Sequence, residues 1–250
     1  MGMSSIEREV PPRKAVVMFF IIDTSGSMAG TRIGAVDSAM EEALKLLKEM
    51  NAENADAEIE IAILEFASQA KWLTPNGPVK VENYHWRKLD VEGLTAMDEA
   101  FRMLDEKLRK DSGFMKRATG SYAPVLFLMT DGEPNDEKYK AQLAQLKDNA
   151  WFKVSTKVAL AIGDDANDHV LEEFTGSREA VIKVPDGANA GAKLVQVIRF
   201  VAVTSSQVAS TPADASGKTK QQQLQDAIQT AVDDDDWDVG GASAGDDLDW

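Results

Sequence analysis

The chain has 250 residues, 44% of them hydrophobic, so it is long enough to bury a sizeable core. It has no cysteine, which excludes disulfides and thiolate metal sites, and its two histidines, His85 and His169, argue against an imidazole zinc site. The formal net charge of −15 argues against a nucleic-acid partner, because phosphates are bound by lysine and arginine.

The start of the chain gives an expectation about compartment. Its first residues are polar and mixed in charge, and the apolar stretch 15–22 is too short to cross a bilayer. We therefore expect a soluble, cytoplasmic protein with no membrane partner, and the absence of cysteine fits a reducing compartment.

The first predicted elements are a buried strand and a long helix. Ala15–Ile22 is a continuous apolar run rich in Val, Ile and Phe, which is typical of a central strand buried on both faces. From Thr31 to Met50 apolar residues recur at steps of three and four, which predicts an amphipathic helix.

The rest of the chain continues this alternation. Further strands are predicted over 58–66, 69–73, 124–130, 155–162 and 180–184. Helices are predicted over 95–109, from Asn135 or Asp136 to about 149, over 167–175 and over 190–205. The short strand 69–73 ends at a Pro-Asn-Gly-Pro turn and is expected to pair antiparallel with its predecessor.

The order of elements predicts an α/β fold: a doubly wound, mostly parallel sheet of about six strands, one of them a short antiparallel edge strand, with helices on both faces. We expect an N-terminal extension over 1–13, a domain over 14–206 and a C-terminal segment over 207–250. That segment is predicted to hold a linker, a short helix over 221–232 and a disordered acidic tail.

Oxygen-bearing side chains follow two buried strands and precede one helix. Asp23, Ser25 and Ser27 come directly after the first strand, and Asp131 follows the strand 124–130. Thr95 opens the helix 95–109, where its hydroxyl is predicted to be the N-cap. Because the carboxyl ends of parallel neighbours share one edge of a sheet, these groups are expected to meet there, where open α/β folds bind their ligands.

These motifs resemble the metal-ion-dependent adhesion site (MIDAS) of von Willebrand factor A domains, over roughly residues 14 to 205, and among them the bacterial cytoplasmic branch related to tellurite-resistance TerY proteins. The resemblance implies that Ser25 and Ser27 coordinate a metal directly, and Thr95 directly or through water. It implies that Asp23 and Asp131 act mostly through bridging waters. The chain departs from the family at one neighbouring position, where Leu94 replaces a second glycine.

The chemistry of the donors agrees with this interpretation. Two carboxylates balance a divalent charge, while neutral hydroxyls leave the cation able to take a partner's carboxylate. Mg²⁺ suits such hard oxygen ligands, at distances of about 2.1 Å, and Mn²⁺ or Ca²⁺ could replace it. The alternative is an ordinary polar turn at Asp23–Ser27, since Asp, Ser and Gly dominate turns.

A second acidic stretch, Gly163–Asp168, is interpreted as a strand-to-helix turn with a cap, because it lacks the glycine and distal glutamate of an EF-hand loop. His169 is expected at the surface. The chain shows neither a phosphate-binding glycine loop with a lysine nor a nucleophile elbow, so we predict that it is not an enzyme.

The tail carries charge and two tryptophans. Residues 233–250 hold eight aspartates and no basic residue, so they contribute −8 to the net −15 and leave −7 for the remainder. Trp237 and Trp250 lie beside aspartates and could anchor in a partner's groove, with capture of the carboxylate after Trp250 as well. The alternatives are a tail that only solvates the chain and a tail aspartate that binds the metal, in cis or between copies.

Three functions remain open from the sequence. The first is a metal-dependent protein-interaction module that binds a partner's acidic side chain. For this function the TerY-like resemblance implies a Ser/Thr kinase and a PPM-type phosphatase as partners, in stress or phosphorylation signalling. The second is a metal-dependent hydrolase, and the third is a scaffold subunit of an ATPase or chelatase-like assembly.

Overall fold

A seven-stranded, mostly parallel sheet forms the centre of the molecule. The computed structural model describes residues 13–54, 57–116, 120–132, 134–210 and 219–233. The strands are β1 (Lys14–Asp23), β2 (Ala57–Phe66), β3 (Ala70–Trp72), β4 (Val79–Lys80), β5 (Val125–Thr130), β6 (Thr156–Ile162) and β7 (Val181–Val184). The helices are α1 (Thr31–Glu53), α2 (Met97–Lys107), α3 (Lys138–Asp148), α4 (Ala150–Val154), α5 (Asp168–Thr175), α6 (Ala190–Ser210) and α7 (Lys220–Asp233).

The strand order is β3-β2-β1-β5-β6-β7, and β4 also pairs with β2. β1, β2, β5, β6 and β7 are parallel, whereas β3 and β4 run antiparallel to β2. From β1 the chain moves to β2 on one side, and later to β5, β6 and β7 on the other. The topological switch point therefore lies between β1 and β5, where open α/β sheets form their binding crevice.

Two hydrophobic layers cover the sheet, because successive side chains of a strand point to opposite faces. Met18, Phe20 and Ile22 of β1 join the layer formed with α1 and α6. Val17, Phe19 and Ile21 join the layer formed with α2, α3 and α5. All of these β1 side chains are at most 1% exposed, which confirms the predicted α/β fold with a central strand buried on both faces.

Some sequence predictions were wrong in detail. In the described part of the chain the two-residue strand β4 adds to the six predicted strands; it is too short to produce a periodic pattern. Thr95 is not the N-cap of α2: the helix begins at Met97 with Ala96 in the cap position, because the backbone N–H of Ala96 still bonds to Ala67 at the end of β2, at 2.7 Å. α3 begins after Glu137.

α7 lies beyond the predicted domain boundary at 206 and packs on the layer of α1 and α6. Its Ile228 is fully buried and its Ala231 is 5% exposed. The predicted helix over 221–232 thus forms part of the folded body. The N-terminal residues 1–12, Trp237 and Trp250 lie outside the described residues. In the described part of the chain, no helix combines the length and the hydropathy that crossing a membrane requires.

Candidate metal centre

Asp23, the last residue of β1, is fully buried and held by both carboxylate oxygens. Its Oδ2 accepts a 2.6 Å hydrogen bond from the Thr130 hydroxyl, and its Oδ1 accepts the backbone N–H of Ser25 at 2.8 Å. The parallel register places Ile22 opposite Met129, so Thr130 at the end of β5 lies beside Asp23. The pairing of β1 with β5 therefore fixes the orientation of this carboxylate.

Burial leaves the Asp23 carboxylate short of compensating charge. Desolvation raises its pKa to about 6, and the nearby charge of Asp131 adds to this effect. Hydrogen bonds from Thr130 and Ser25 lower the pKa by less than burial raises it. A cation in contact with this edge would stabilise the ionised form, so the site fits a positive ligand.

The hydroxyls of Ser25 and Ser27 point toward one spot. Their Oγ atoms are 3.1 Å apart, while Ser25 is 1% exposed and Ser27 is open to solvent. Two neighbouring ligands at about 2.1 Å in an octahedron are separated by about 3.0 Å. The Oγ–Oγ distance is that of a hydrogen bond between the two hydroxyls, and it also fits two neighbouring oxygen ligands of a divalent cation.

The loop that carries Thr95 is bound to the ends of both β1 and β2. Gly93 accepts the backbone N–H of Gly26 at 3.0 Å, and the hydroxyl of Ser68, just after β2, accepts the N–H of Leu94 at 2.9 Å. Gly93 has φ +76°, and a Cβ there would overlap the Ser68 hydroxyl, so this position requires glycine. Thr95 itself is 5% exposed. With Leu94 in place of glycine, the loop is still bonded to Gly26 through the Gly93 carbonyl.

Asp131 follows β5 and is 2% exposed. Its carbonyl accepts the N–H of Asn167 at 2.8 Å, while the Thr130 hydroxyl accepts the N–H of Gly132 at 2.9 Å. Gly132 has φ +75°, and a Cβ there would lie 2.6 Å from the carbonyl oxygen of Asn167. The segment after β5 is thus packed between the Asp23 loop and the start of α5.

Arg32, in the first turn of α1, was not predicted from the sequence as part of this edge. Its guanidinium binds Asp186 through two hydrogen bonds of 3.1 and 3.0 Å and also pairs with Asp165. Its Nη1 lies 3.5 Å from both the Asp131 carboxylate and the Ser27 carbonyl oxygen. Arg32 therefore joins the candidate site to the loops after β6 and β7.

Side chains of the second acidic stretch, Gly163–Asp168, make contacts within the protein. Asn167 caps α5 by accepting the N–H of His169 at 3.1 Å, which confirms the predicted cap. The side chain of Asp165 is 74% exposed and bound to Arg32. His169 lies at the surface as predicted, with its side chain 72% exposed and 3.8 Å from Glu173.

The candidate centre differs from sites built from acidic residues and histidine alone. Within the described ranges, no group of three or more His, Asp or Glu side chains could hold a metal ion. The residues at the switch point offer two carboxylates and three hydroxyls. Such an all-oxygen set fits a hard divalent cation.

The comparisons with known proteins agree with this fold. The sequence model of the von Willebrand factor type A domain matches residues 18–200, well over half of the chain. The chain therefore belongs to the von Willebrand factor type A domain family. A comparison with curated protein sequences finds no match.

Solved structures of this fold are similar at low sequence identity. A von Willebrand factor type A protein from Catenulispora acidiphila is 18% identical, with a TM-score of 0.55 over 77% of this chain and 43% of that one. Proximal thread matrix protein 1 from the mussel byssus, with a zinc-occupied MIDAS motif, is 16% identical, with a TM-score of 0.54 over 76% of this chain and 48% of that one. The ArnB paralog VWA2 from Sulfolobus acidocaldarius is 15% identical, with a TM-score of 0.52 over 73% of this chain and 45% of that one. The chain thus spans less than half of each of these proteins, and the likeness shows the fold.

Proposed function

We propose that this protein is a metal-dependent protein-interaction module that binds a partner's carboxylate at the switch point of its sheet. Asp23, Ser25, Ser27, Thr95 and Asp131 would hold the metal. One observation supports this most strongly: the hydroxyls of Ser25 and Ser27 are 3.1 Å apart, directly after a buried carboxylate that is already oriented. Asp23 is fully buried, and a cation beside it would stabilise its ionised form.

The charge balance of the site favours recognition of an acidic group. Two carboxylates neutralise a divalent cation, so the bound metal removes the repulsion that Asp23 and Asp131 exert on an incoming carboxylate. Arg32, 3.5 Å from Asp131, is itself balanced by Asp165 and Asp186. When bound, the metal supplies a Lewis-acidic position that an incoming carboxylate can occupy. The protein side chains orient that position and leave room for the partner on the solvent side, where Ser27 is exposed.

The oxygen ligands favour Mg²⁺, with Mn²⁺ and Ca²⁺ as possible replacements. A zinc-occupied MIDAS motif in the mussel protein shows that a related fold can take another divalent ion. For this chain, the absence of cysteine and imidazole ligands at the switch point supports the harder cation.

The TerY-like resemblance extends the proposal to a cellular role. It supports a cytoplasmic adaptor in bacterial stress or phosphorylation signalling, with a Ser/Thr kinase and a PPM-type protein phosphatase as partners. Both classes of partner can be recognised after capture from a lysate.

The test is capture of partners from native lysate by the full chain, in Mg²⁺ and then in EDTA. We expect partners that are recovered with Mg²⁺, lost with EDTA and lost in the Ser25→Ala/Ser27→Ala double variant. Asp165→Asn, at the same sheet edge but outside the proposed ligand set, is the matched control and should retain them. Equal recovery under all conditions would contradict a metal-dependent interaction.

The full chain and its captured partners also test the two alternative functions, a hydrolase and a scaffold subunit. A hydrolase should turn over phosphoesters in Mg²⁺ and lose this activity in Asp23→Ala. A scaffold subunit should recover a hexameric ATPase. We expect neither, because the site offers orienting oxygens and an exposed entrance rather than an assigned general base.

A further inference from the structure

Leu94 is an exposed apolar side chain directly beside the proposed metal ligand Thr95. It is 64% exposed, and in the described part of the chain Val154 is the other exposed large hydrophobic residue, at 54%. Val154 ends α4, just before β6 begins, and therefore lies at the opposite edge of the sheet. Leu94 is thus the exposed apolar group at the entrance of the metal centre.

The backbone around Leu94 is fixed before any ligand arrives. Its own N–H bonds to Ser68, and Gly93 and Ala96 on either side bond to Gly26 and Ala67 at 3.0 and 2.7 Å. A contact that covers Leu94 therefore orders little further chain. The entrance combines a rigid apolar contact with a position that binds a carboxylate.

We propose that the C-terminal segment 234–250 of this same chain docks on this entrance, with an aspartate directed to the metal and a neighbouring tryptophan or leucine covering Leu94. This inference rests on the proposed function, because it needs the cation. The segment carries the required pair of groups twice, in Asp236-Trp237-Asp238 and in Asp247-Leu248-Asp249-Trp250.

Charge makes this docking dependent on the metal. The residues 233–250 carry −8 and the rest of the chain −7, so the two parts repel each other when no cation is present. A divalent ion at the switch point neutralises Asp23 and Asp131 and supplies a position that a carboxylate can bind. The tail then meets a metal with an apolar neighbour instead of two like charges.

The length of the chain permits the contact. α7 ends at Asp233 and is fixed on the body through buried Ile228. Asp247 lies fourteen positions after Asp233, a stretch that spans up to about 48 Å when extended, whereas a domain of this size has a radius of gyration of about 16 Å. Tethering gives the segment an effective concentration in the millimolar range, so a weak carboxylate–metal contact suffices.

The experiment uses the full chain labelled with 5-fluorotryptophan and observed by ¹⁹F NMR. The five tryptophans give five signals, and those of Trp237 and Trp250 are assigned with Trp→Phe variants. We expect at least one tail signal to shift on Mg²⁺ addition and to return with EDTA. Leu94→Ser should reduce the shifted fraction at least fivefold, whereas the matched control Val154→Ser should leave it unchanged.

Thermal unfolding of each sample in Mg²⁺ and EDTA separates the two proposals. If Mg²⁺ raises the melting temperature but neither tail signal responds, docking of the tail is wrong and the proposed metal site stands. If Mg²⁺ changes neither the melting temperature nor the tail signals, the proposed metal site is wrong as well. A tail shift that is insensitive to Leu94→Ser overturns the apolar contact. A shift that grows with protein concentration, together with a doubled mass in sedimentation, assigns the contact to a second copy and overturns docking within one chain.

Discussion

Two acidic loops lie at the same edge of the sheet, yet they use their carboxylates differently. The loop after β1 contains one carboxylate, which is buried and bound by Thr130 and Ser25. The loop after β6 contains more acidic residues, but Asp165 is 74% exposed and bound to Arg32. The oriented and buried carboxylate after β1 is therefore the better candidate for a metal centre than the more numerous acidic residues after β6.

The largest expected effect distinguishes these loops directly. Asp23→Asn removes the charge and keeps the shape, so we expect Mg²⁺ affinity to fall by about 100-fold. Asp165→Asn should change it less than about threefold, because that carboxylate is exposed and outside the proposed ligand set. Calorimetric titration of both variants with Mg²⁺ checks the difference. Equal losses in the two variants would mean that only the total charge of this edge matters.

Removal of a site hydroxyl has the next largest expected effect on Mg²⁺ affinity. Ser25→Ala and Ser27→Ala should each lower Mg²⁺ affinity by roughly tenfold, since each removes one proposed direct ligand. Ser38→Ala, which removes a solvent-exposed hydroxyl on α1, is the control. Titration of the three variants measures the effect. Unchanged affinity in both site variants would exclude the hydroxyls as ligands.

The pH dependence follows from Asp23. Its pKa is about 6 in the folded chain and about 3.9 in the unfolded one, so the folded chain binds more protons between pH 4 and pH 6. In EDTA the free energy of unfolding should therefore fall as pH rises through this window, by up to about 3 kcal/mol. Mg²⁺ needs the ionised carboxylate, so its affinity should rise as pH passes 6.

Urea unfolding between pH 4.5 and 7.5, with EDTA and with Mg²⁺, measures both trends. Asp23→Asn should flatten the EDTA profile in that window. An unchanged profile in Asp23→Asn would show that another group causes the pH dependence.

The smallest expected effect concerns Arg32, which contacts both regions. Arg32→Gln removes a positive charge 3.5 Å from Asp131, so Mg²⁺ affinity should rise about two- to fivefold. The same change removes the pairs with Asp165 and Asp186, and the free energy of unfolding should fall by about 1–2 kcal/mol. Arg102→Gln, on α2 and paired with Glu99 and Glu106, is a matched control that should leave Mg²⁺ affinity unchanged. A lower affinity in Arg32→Gln would instead make Arg32 a residue that positions Asp131.

Much of the site could be predicted because local sequence encodes strand ends. Asp23 and Asp131 each follow a strongly apolar run, and neighbouring parallel strands bring such ends together. The bond between Thr130 and Asp23 could also have been suspected, since Thr130 directly precedes the second aspartate.

The rest depended on tertiary contacts that a local pattern does not carry. The carboxylate partners of Arg32 lie 99 to 154 positions away, so the sequence near Arg32 does not predict them. α2 begins two residues later than predicted, because Ala96, with φ −82° and ψ 70°, is not helical and its N–H bonds to Ala67. The exposure of Leu94 likewise follows from the way its loop is fixed between two strand ends.

The most direct test of the central claim is a crystal of the full chain grown with Mn²⁺, with an anomalous difference map. We expect one peak at the switch point, about 2.1–2.2 Å from the hydroxyl oxygens of Ser25 and Ser27 and next to Thr95 and Asp131. A peak beside Asp165 and Asp186 instead, with none at Ser25 and Ser27, would contradict it.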